Sequence, residues 1–195
     1  MPASRREHLL DTAIGLFSER GYRATGIDTI LTKAGVAKMT LYNHFKSKDE
    51  LVLAALRLSD ERTRRHFAEE VSRRGAGPRE RLMAVFADLE RWFADPAFNG
   101  CLFIKAAADY PDARDPIHAL AAEHKRMLRQ FLEGLARDAG ARNPADLALQ
   151  LQMLFDGATV QAQVCGNSGV AAQARQTAET LIEAAIAPAA PVPDN

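Results

Sequence analysis

The stretch TGIDTILTKAGVAKMTLYNHFKSKDEL, Thr25 to Leu51, holds two short apolar stripes on either side of a glycine. Ile27, Ile30, Leu31 and Ala34 fall at the spacing of one helix face, and Leu41 and Phe45 repeat it over a single turn. Gly35 stands between them, where a left-handed residue can end one helix before the next begins. The pattern predicts a helix at 27–34, a turn at 35–37 and a helix at 38–45. Such a pair is a helix-turn-helix candidate: its second helix lies in a DNA major groove while its first crosses the backbone.

The polar residues of the stretch suit that geometry. No acidic residue occurs from Thr29 through Lys48, although the whole chain balances 25 Lys+Arg against 25 Asp+Glu. Lys33, Lys38, Lys46 and Lys48 share the window with Thr40, Tyr42, Asn43 and His44. If Leu41 and Phe45 turn inward against Ile14, Phe17 and Ile30, the opposite face shows Met39, Tyr42, Asn43 and Lys46. Lys38 and Thr40 then sit at its leading end. Phosphates attract lysines and repel carboxylates, and hydroxyls, phenols and imidazoles hydrogen-bond them without sequence preference. Taken singly, Tyr42 fits a half-buried core and the lysines fit a solvated surface. Their co-occurrence in one acid-free window behind a glycine turn favours DNA.

Outward from this window the spacing stays helical. Leu10, Ala13, Ile14 and Phe17 form the stripe of a preceding helix. Ser4 with Glu7, Thr25 with Asp28, and Ser47 with Glu50 fit the capping box or a close variant. A long fourth helix is predicted from Lys48 to about Arg74. Further helices are predicted at 79–94, 102–108, 116–139, 144–165 and 170–187. No period-two alternation appears, so the expected fold is all-α: an N-terminal three-helix helix-turn-helix bundle joined by a long helix to a C-terminal helical bundle. Residues 1–50 are expected to form the DNA-binding domain and 51–187 the second domain, with 188–195 a disordered tail.

Bulk properties narrow the alternatives. Hydrophobic residues make up 47% of 195, ample for a buried core, and no apolar run approaches the ~20 residues of a membrane span. The N-terminal residues lack the apolar core of a signal peptide. Two cysteines, Cys101 and Cys165, do not make a disulfide framework, so a cytoplasmic location is expected. Residues 1–74 hold 14 Lys+Arg against 10 Asp+Glu, whereas 75–195 hold 11 against 15. A basic front end with an acidic partner, on an acidic body, is the reading.

With LFSERGY at residues 16–22 before it, this run resembles the TetR (tetracycline repressor) family of bacterial transcriptional regulators over about residues 5–56. The match rests on Phe17, Gly21, Thr25, the AGV of Ala34 to Val36, the TLY of Thr40 to Tyr42, Phe45, Lys48 and Leu51. The resemblance implies that Thr25, Tyr42, His44 and Lys48 hold phosphates and that Lys38, Met39, Thr40 and Asn43 approach bases. It also implies a ligand-responsive regulator, most simply a repressor released from a palindromic operator by a small molecule. Three positions depart from the family pattern. Ala37 stands where a serine commonly caps the recognition helix, a loss typically worth ~1 kcal/mol. Met39 stands where glycine is common, and Leu31 where alanine is usual.

The resemblance further implies an effector cavity in the larger bundle. Its expected lining is Phe86, Trp92, Phe93, Cys101, Phe103, Lys105, Asp109, His124, Met127, Phe155 and Gln161, although aromatics at helical spacing serve cores more often than pockets. The last two helices, with small residues Gly157, Ala158, Ala174 and Ala178, are expected to pair two subunits into a homodimer. Cys101 lies at a predicted helix start, where the dipole can lower a thiol pKa, so a redox or electrophile sensor is one alternative. A helical protein-binding adaptor is another. Asp115 and His118 lie at i, i+3 without a third ligand, so no metal and no cofactor are expected. No nucleophile–base–orienter set occurs, and no enzymatic activity or membrane partner is expected.

Overall fold

A computed structural model of the chain describes residues 4–74, 77–166 and 169–186. The tail at 188–195 lies outside the described residues. Among them the secondary structure is helical throughout: α1 (Arg5–Arg20), α2 (Ile27–Ala34), α3 (Lys38–His44), α4 (Lys48–Arg74), α5 (Pro78–Ala87), α6 (Leu89–Ala94), α7 (Leu102–Asp109), α8 (Pro116–Asp138), α9 (Pro144–Cys165) and α10 (Val170–Ile186). The chain divides into two compact units, 1–66 with 96–127 and 67–95 with 128–195.

Local chemistry starts and stops these helices. Ser4 closes a complete capping box with Glu7 at α1, and the Gly21 N–H returns to Phe17 O at its end. Glu50 N donates to Ser47 Oγ at 3.1 Å while the Glu50 carboxylate accepts from Lys46 N at 2.7 Å, a variant box that starts α4. Asn143 caps α9 and is followed by a proline at the first helical turn, where its missing N–H costs no bond. One expected helix is two. The predicted helix at 79–94 breaks at Asp88, whose N–H turns back to Phe86 O; its carboxylate, nearly buried, pairs with Arg91 one turn on.

In the first unit Leu9, Leu10, Ala13, Phe17, Ile30, Leu41, Phe45, Leu51, Val52 and Leu56 form one buried core. Four residues from far along the chain complete it: Phe103 and Ala106 of α7, and Ile117 and Ala121 of α8. The N-terminal bundle therefore shares its core with later helices, a connection no local pattern in the sequence announces.

The second unit is built on α9 and α10. Ala158, Ala174 and Ala178 are all buried, so their small side chains already serve close packing within the chain. Gly157 alone of that set is exposed. Arg79 ties α5 to α10 through Glu179 and Glu183 at 2.9 and 2.7 Å. Glu70, buried near the end of α4, faces Arg73, Arg74 at 2.6 Å and Arg91 at 3.6 Å. The hydrogen bond from Arg73, with the nearby guanidinium charges, outweighs burial and holds this carboxyl at about 2 instead of the ordinary 4.5. A carboxyl whose folded pKa is depressed stabilises the fold above its unfolded pKa, and the contribution disappears as pH falls through the folded value. Melting temperature should accordingly drop between about pH 4.5 and 2, and Glu70→Gln should flatten that dependence in a pH series of thermal melts.

Candidate nucleic-acid interface

The turn between α2 and α3 is made by Gly35, at φ 63° and ψ 34°. A Cβ is disfavoured in that left-handed conformation, and it lets the Val36 N–H reach Leu31 O at 3.2 Å, closing the end of α2. Helix α3 follows at once. Its cap, Ala37, supplies no side-chain bond, as the missing serine implied. Leu41 and Phe45 are buried at 0% and 2% exposure, in the same core as Phe17 and Ile30, with Ile14 packed beside it. That anchorage turns the other face outward: Met39 is 70% and Tyr42 42% exposed, and Lys38, Asn43, His44 and Lys46 are also exposed. Thr40 and Lys48 are half-buried at the two ends of the face.

Helix α1 braces this pair from behind. The His8 ring donates through Nε2 to Ala34 O at 3.0 Å, since a carbonyl can only accept, which assigns the proton to that nitrogen. The Arg6 guanidinium lies over the Phe45 ring, 5.3 Å from its centroid. The Glu50 carboxylate, the nearest acid but one after the gap, is occupied by the Lys46 amide.

One expected DNA contact does not fit. Thr25 is fully buried, with its hydroxyl donating to Gly21 O at 2.7 Å and Leu16 O at 3.3 Å. It bonds one carbonyl within the end of α1 and one just beyond it, so its side chain is part of the turn and does not face solvent. The expected box of Thr25 with Asp28 is absent for the same reason: Gly26 occupies the cap of α2, without a side-chain bond.

The residues expected to line an effector cavity fall in both units. In the first, Lys105 donates to Ser18 O at 2.5 Å and Asp109 accepts from the Tyr22 and Arg23 amides at 2.8 and 3.2 Å. Their polar groups, read as ligand contacts from sequence, hold backbone instead. His124 is buried, stacked on Phe103 with ring centroids 3.6 Å apart, and its Nδ1 lies 2.7 Å from Asp60. Cys101 caps α7 without a side-chain bond and is half-buried, as is Met127. In the second unit the Phe155 ring lies 5.9–6.1 Å from those of Phe67, Phe86 and Trp92, with the Phe93 ring tilted against Trp92 at 5.6 Å. Gln161 faces outward and accepts from Cys165 Sγ at 3.4 Å. An open groove in this unit is lined by Phe86, Glu90, Ala171, Arg175, Gln176 and Glu179; of the expected residues Phe86 alone lines it.

Asp115 and His118 are both engaged locally, with Ile117 N at 2.7 Å and Tyr110 O at 2.8 Å. Among the described residues no group of three His, Cys, Asp or Glu side chains could hold a metal ion. No helix among them is long and apolar enough to cross a membrane.

Two family models match the chain. Residues 9–55 match that of bacterial regulatory proteins, tetR family, and residues 78–178 match the tetracyclin repressor-like C-terminal domain. The crystal structure of a TetR-family transcriptional regulator from Streptomyces coelicolor superposes with a TM-score of 0.85 at 29% identity, covering 94% of this chain and 96% of that one. The transcriptional regulator YjdC of Escherichia coli is 25% identical over 156 residues, 78% of this chain and 80% of its own length. The transcriptional repressor KstR2 of Mycolicibacterium smegmatis is 46% identical over 56 residues, a match that spans 29% of this chain and 27% of that protein.

Proposed function

The chain belongs to the tetR family of bacterial regulatory proteins and is a DNA-binding transcriptional regulator, and from that premise we propose that it is a repressor. As a homodimer it would hold a palindromic operator and release it when a small molecule binds. DNA contact is assigned to residues 1–50, and effector binding and dimerisation to 51–187. The observation that carries the reading is the outward face of α3, which presents Lys38, Met39, Thr40, Tyr42, Asn43 and His44 without a carboxylate. Tyr42, His44 and Lys48 are the phosphate contacts, and Lys38, Met39, Thr40 and Asn43 the base contacts. KstR2 is a transcriptional repressor, which supports repression as the direction of control. The protein would act in the cytoplasm, without a catalytic step of its own.

Dimerisation is supported by α9. Leu149, Met153, Val160 and Val164 project along one side of it, 42%, 63%, 39% and 75% exposed, with the exposed Gly157 between them. A face of four bare apolar side chains fits a second copy of the chain across a two-fold axis. The two recognition helices of such a dimer would reach half-sites about one helical turn, ~34 Å, apart. An effector would act by binding more tightly to a state that breaks this register.

Lys48→Ala tests the docking. Duplex selected from a random pool should bind the variant more weakly whatever its sequence, and the slope of log affinity against log salt should flatten by about one phosphate contact. An unchanged affinity and slope would remove Lys48 and the docking with it. In the same assay Asn43→Ala should alter base preference and leave the slope alone.

A further inference from the structure

We infer that Asp109 is a positioning residue for DNA binding, acting on the reading head through the backbone of the α1–α2 turn. The inference rests on α3 being the surface that meets DNA. Five hydrogen bonds join residues 18–23 to α7. At the start of α7, the Tyr22 phenol donates to Leu102 O at 3.0 Å. In its middle, Lys105 Nζ donates to Ser18 O at 2.5 Å. At its end, one oxygen of Asp109 accepts from Tyr22 N at 2.8 Å and Arg23 N at 3.2 Å, and Arg23 Nε donates to Asp109 O at 2.8 Å.

Electrostatics make this placement unusual. Asp109 ends α7 and lies against the turn that follows α1, and the C-terminal end of a helix disfavours a carboxylate. Two N–H groups aimed at a single oxygen, with Lys105 on the same helix and the Arg23 guanidinium beside it, offset that penalty. The turn it grips is the one that aims α2. Thr25 closes it from inside, Gly26 begins α2, and α3 packs on both α1 and α2. A Cβ built on Gly21 would lie 3.4 Å from the Asp109 carboxylate, so any side chain at that position would come into contact with it. One residue further, Tyr110 meets the other flank of the head. Its hydroxyl lies 3.3 Å from Asp49 in the first turn of α4, beside Lys48, and its ring meets Tyr22 edge-on at 6.2 Å. The segment 102–110 thus holds the helix-turn-helix from the turn before it and the helix after it, while Phe103 and Ala106 seat α7 in the bundle's core.

The test uses the full-length protein and one selected duplex, with the DNA-competent fraction fixed by stoichiometric titration. Asp109→Ala should weaken the dissociation constant of that competent fraction about tenfold. The salt slope should stay that of the wild type, because no phosphate contact is lost. Asp109→Asn keeps an acceptor oxygen and should stay within about threefold of wild type. Tyr22→Phe, which removes only the bond to Leu102 and so loosens the same turn, should weaken binding about fivefold, outside that band, and covers the case in which Asp109→Ala does not fold. Amide exchange should quicken at Tyr22 and Arg23 in Asp109→Ala and not in Asp109→Asn. The inference is overturned if Asp109→Ala melts earlier but its competent fraction binds as the wild type does, or if Tyr22→Phe binds unchanged when Asp109→Ala is unfolded. Failure of the DNA reading itself gives a different result: Lys48→Ala would then leave the salt slope unchanged, whatever Asp109 does.

Discussion

Leu41→Ala is expected to destabilise the protein by about 2–5 kcal/mol and to abolish operator binding. Helix α3 has seven residues, too few to persist in water by propensity, so its existence depends on what it buries. Leu41 is its one buried residue, fully enclosed, and Phe45 follows at its end. Truncating Leu41 removes three buried heavy atoms and leaves a void that the small core of the N-terminal bundle can fill only by moving α3. The two losses should therefore arrive together: a lower melting temperature, and no retarded band in a mobility-shift assay at any concentration that shifts the wild type. A variant that melted early yet bound DNA normally would show that α3 is held by something other than its core contacts. Leu41→Met, close in volume, should restore both properties to within about 1.5 kcal/mol of wild type.

Met153→Asp combined with Val160→Asp should turn the proposed dimer into a monomer. These are the central pair of the bare stripe on α9, one on either side of Gly157. In a two-fold interface each residue meets its own copy or a near neighbour, so two substitutions place four carboxylates in one apolar patch. Analytical ultracentrifugation should report a single chain. Affinity for a palindromic duplex should fall on the order of 100-fold, because the second half-site no longer binds at high effective concentration. Binding to an isolated half-site should be unaffected. Met153 is 63% and Val160 39% exposed in the single chain, so its fold should tolerate both changes. A variant that remained dimeric would place the interface elsewhere.

What the sequence made legible was local. The helix-turn-helix rests on a stripe, a glycine and a second stripe within twenty residues, each acting on its own neighbours, and the structure has all three. The capping boxes of Ser4 and Ser47 are local in the same way. Thr25 differs from its expected role because the carbonyls it bonds, Leu16 in the last turns of α1 and Gly21 just beyond it, are brought to it by a turn whose shape no spacing rule describes. Lys105 and Asp109 looked like ligand groups because they are polar residues four apart on an otherwise apolar helix. Their actual partners are backbone atoms some 86 residues away, which carry no side-chain signature. Ala158, Ala174 and Ala178 looked like interface residues because small side chains permit close approach in either setting, within a chain or between two. Only burial separates those settings.

The shared core of the first unit also bears on how the protein is made. A ribosome adds roughly 5–20 residues per second, so roughly 3–13 seconds separate the synthesis of Leu56 from that of Ala121. Throughout that interval the apolar core of the first 56 residues lacks Phe103, Ala106, Ile117 and Ala121, which later complete it. The reading head is thus translated first and finished late. A nascent chain stalled before residue 100 would display that apolar surface to chaperones, and a gene fusion that kept only the first 66 codons would display it permanently.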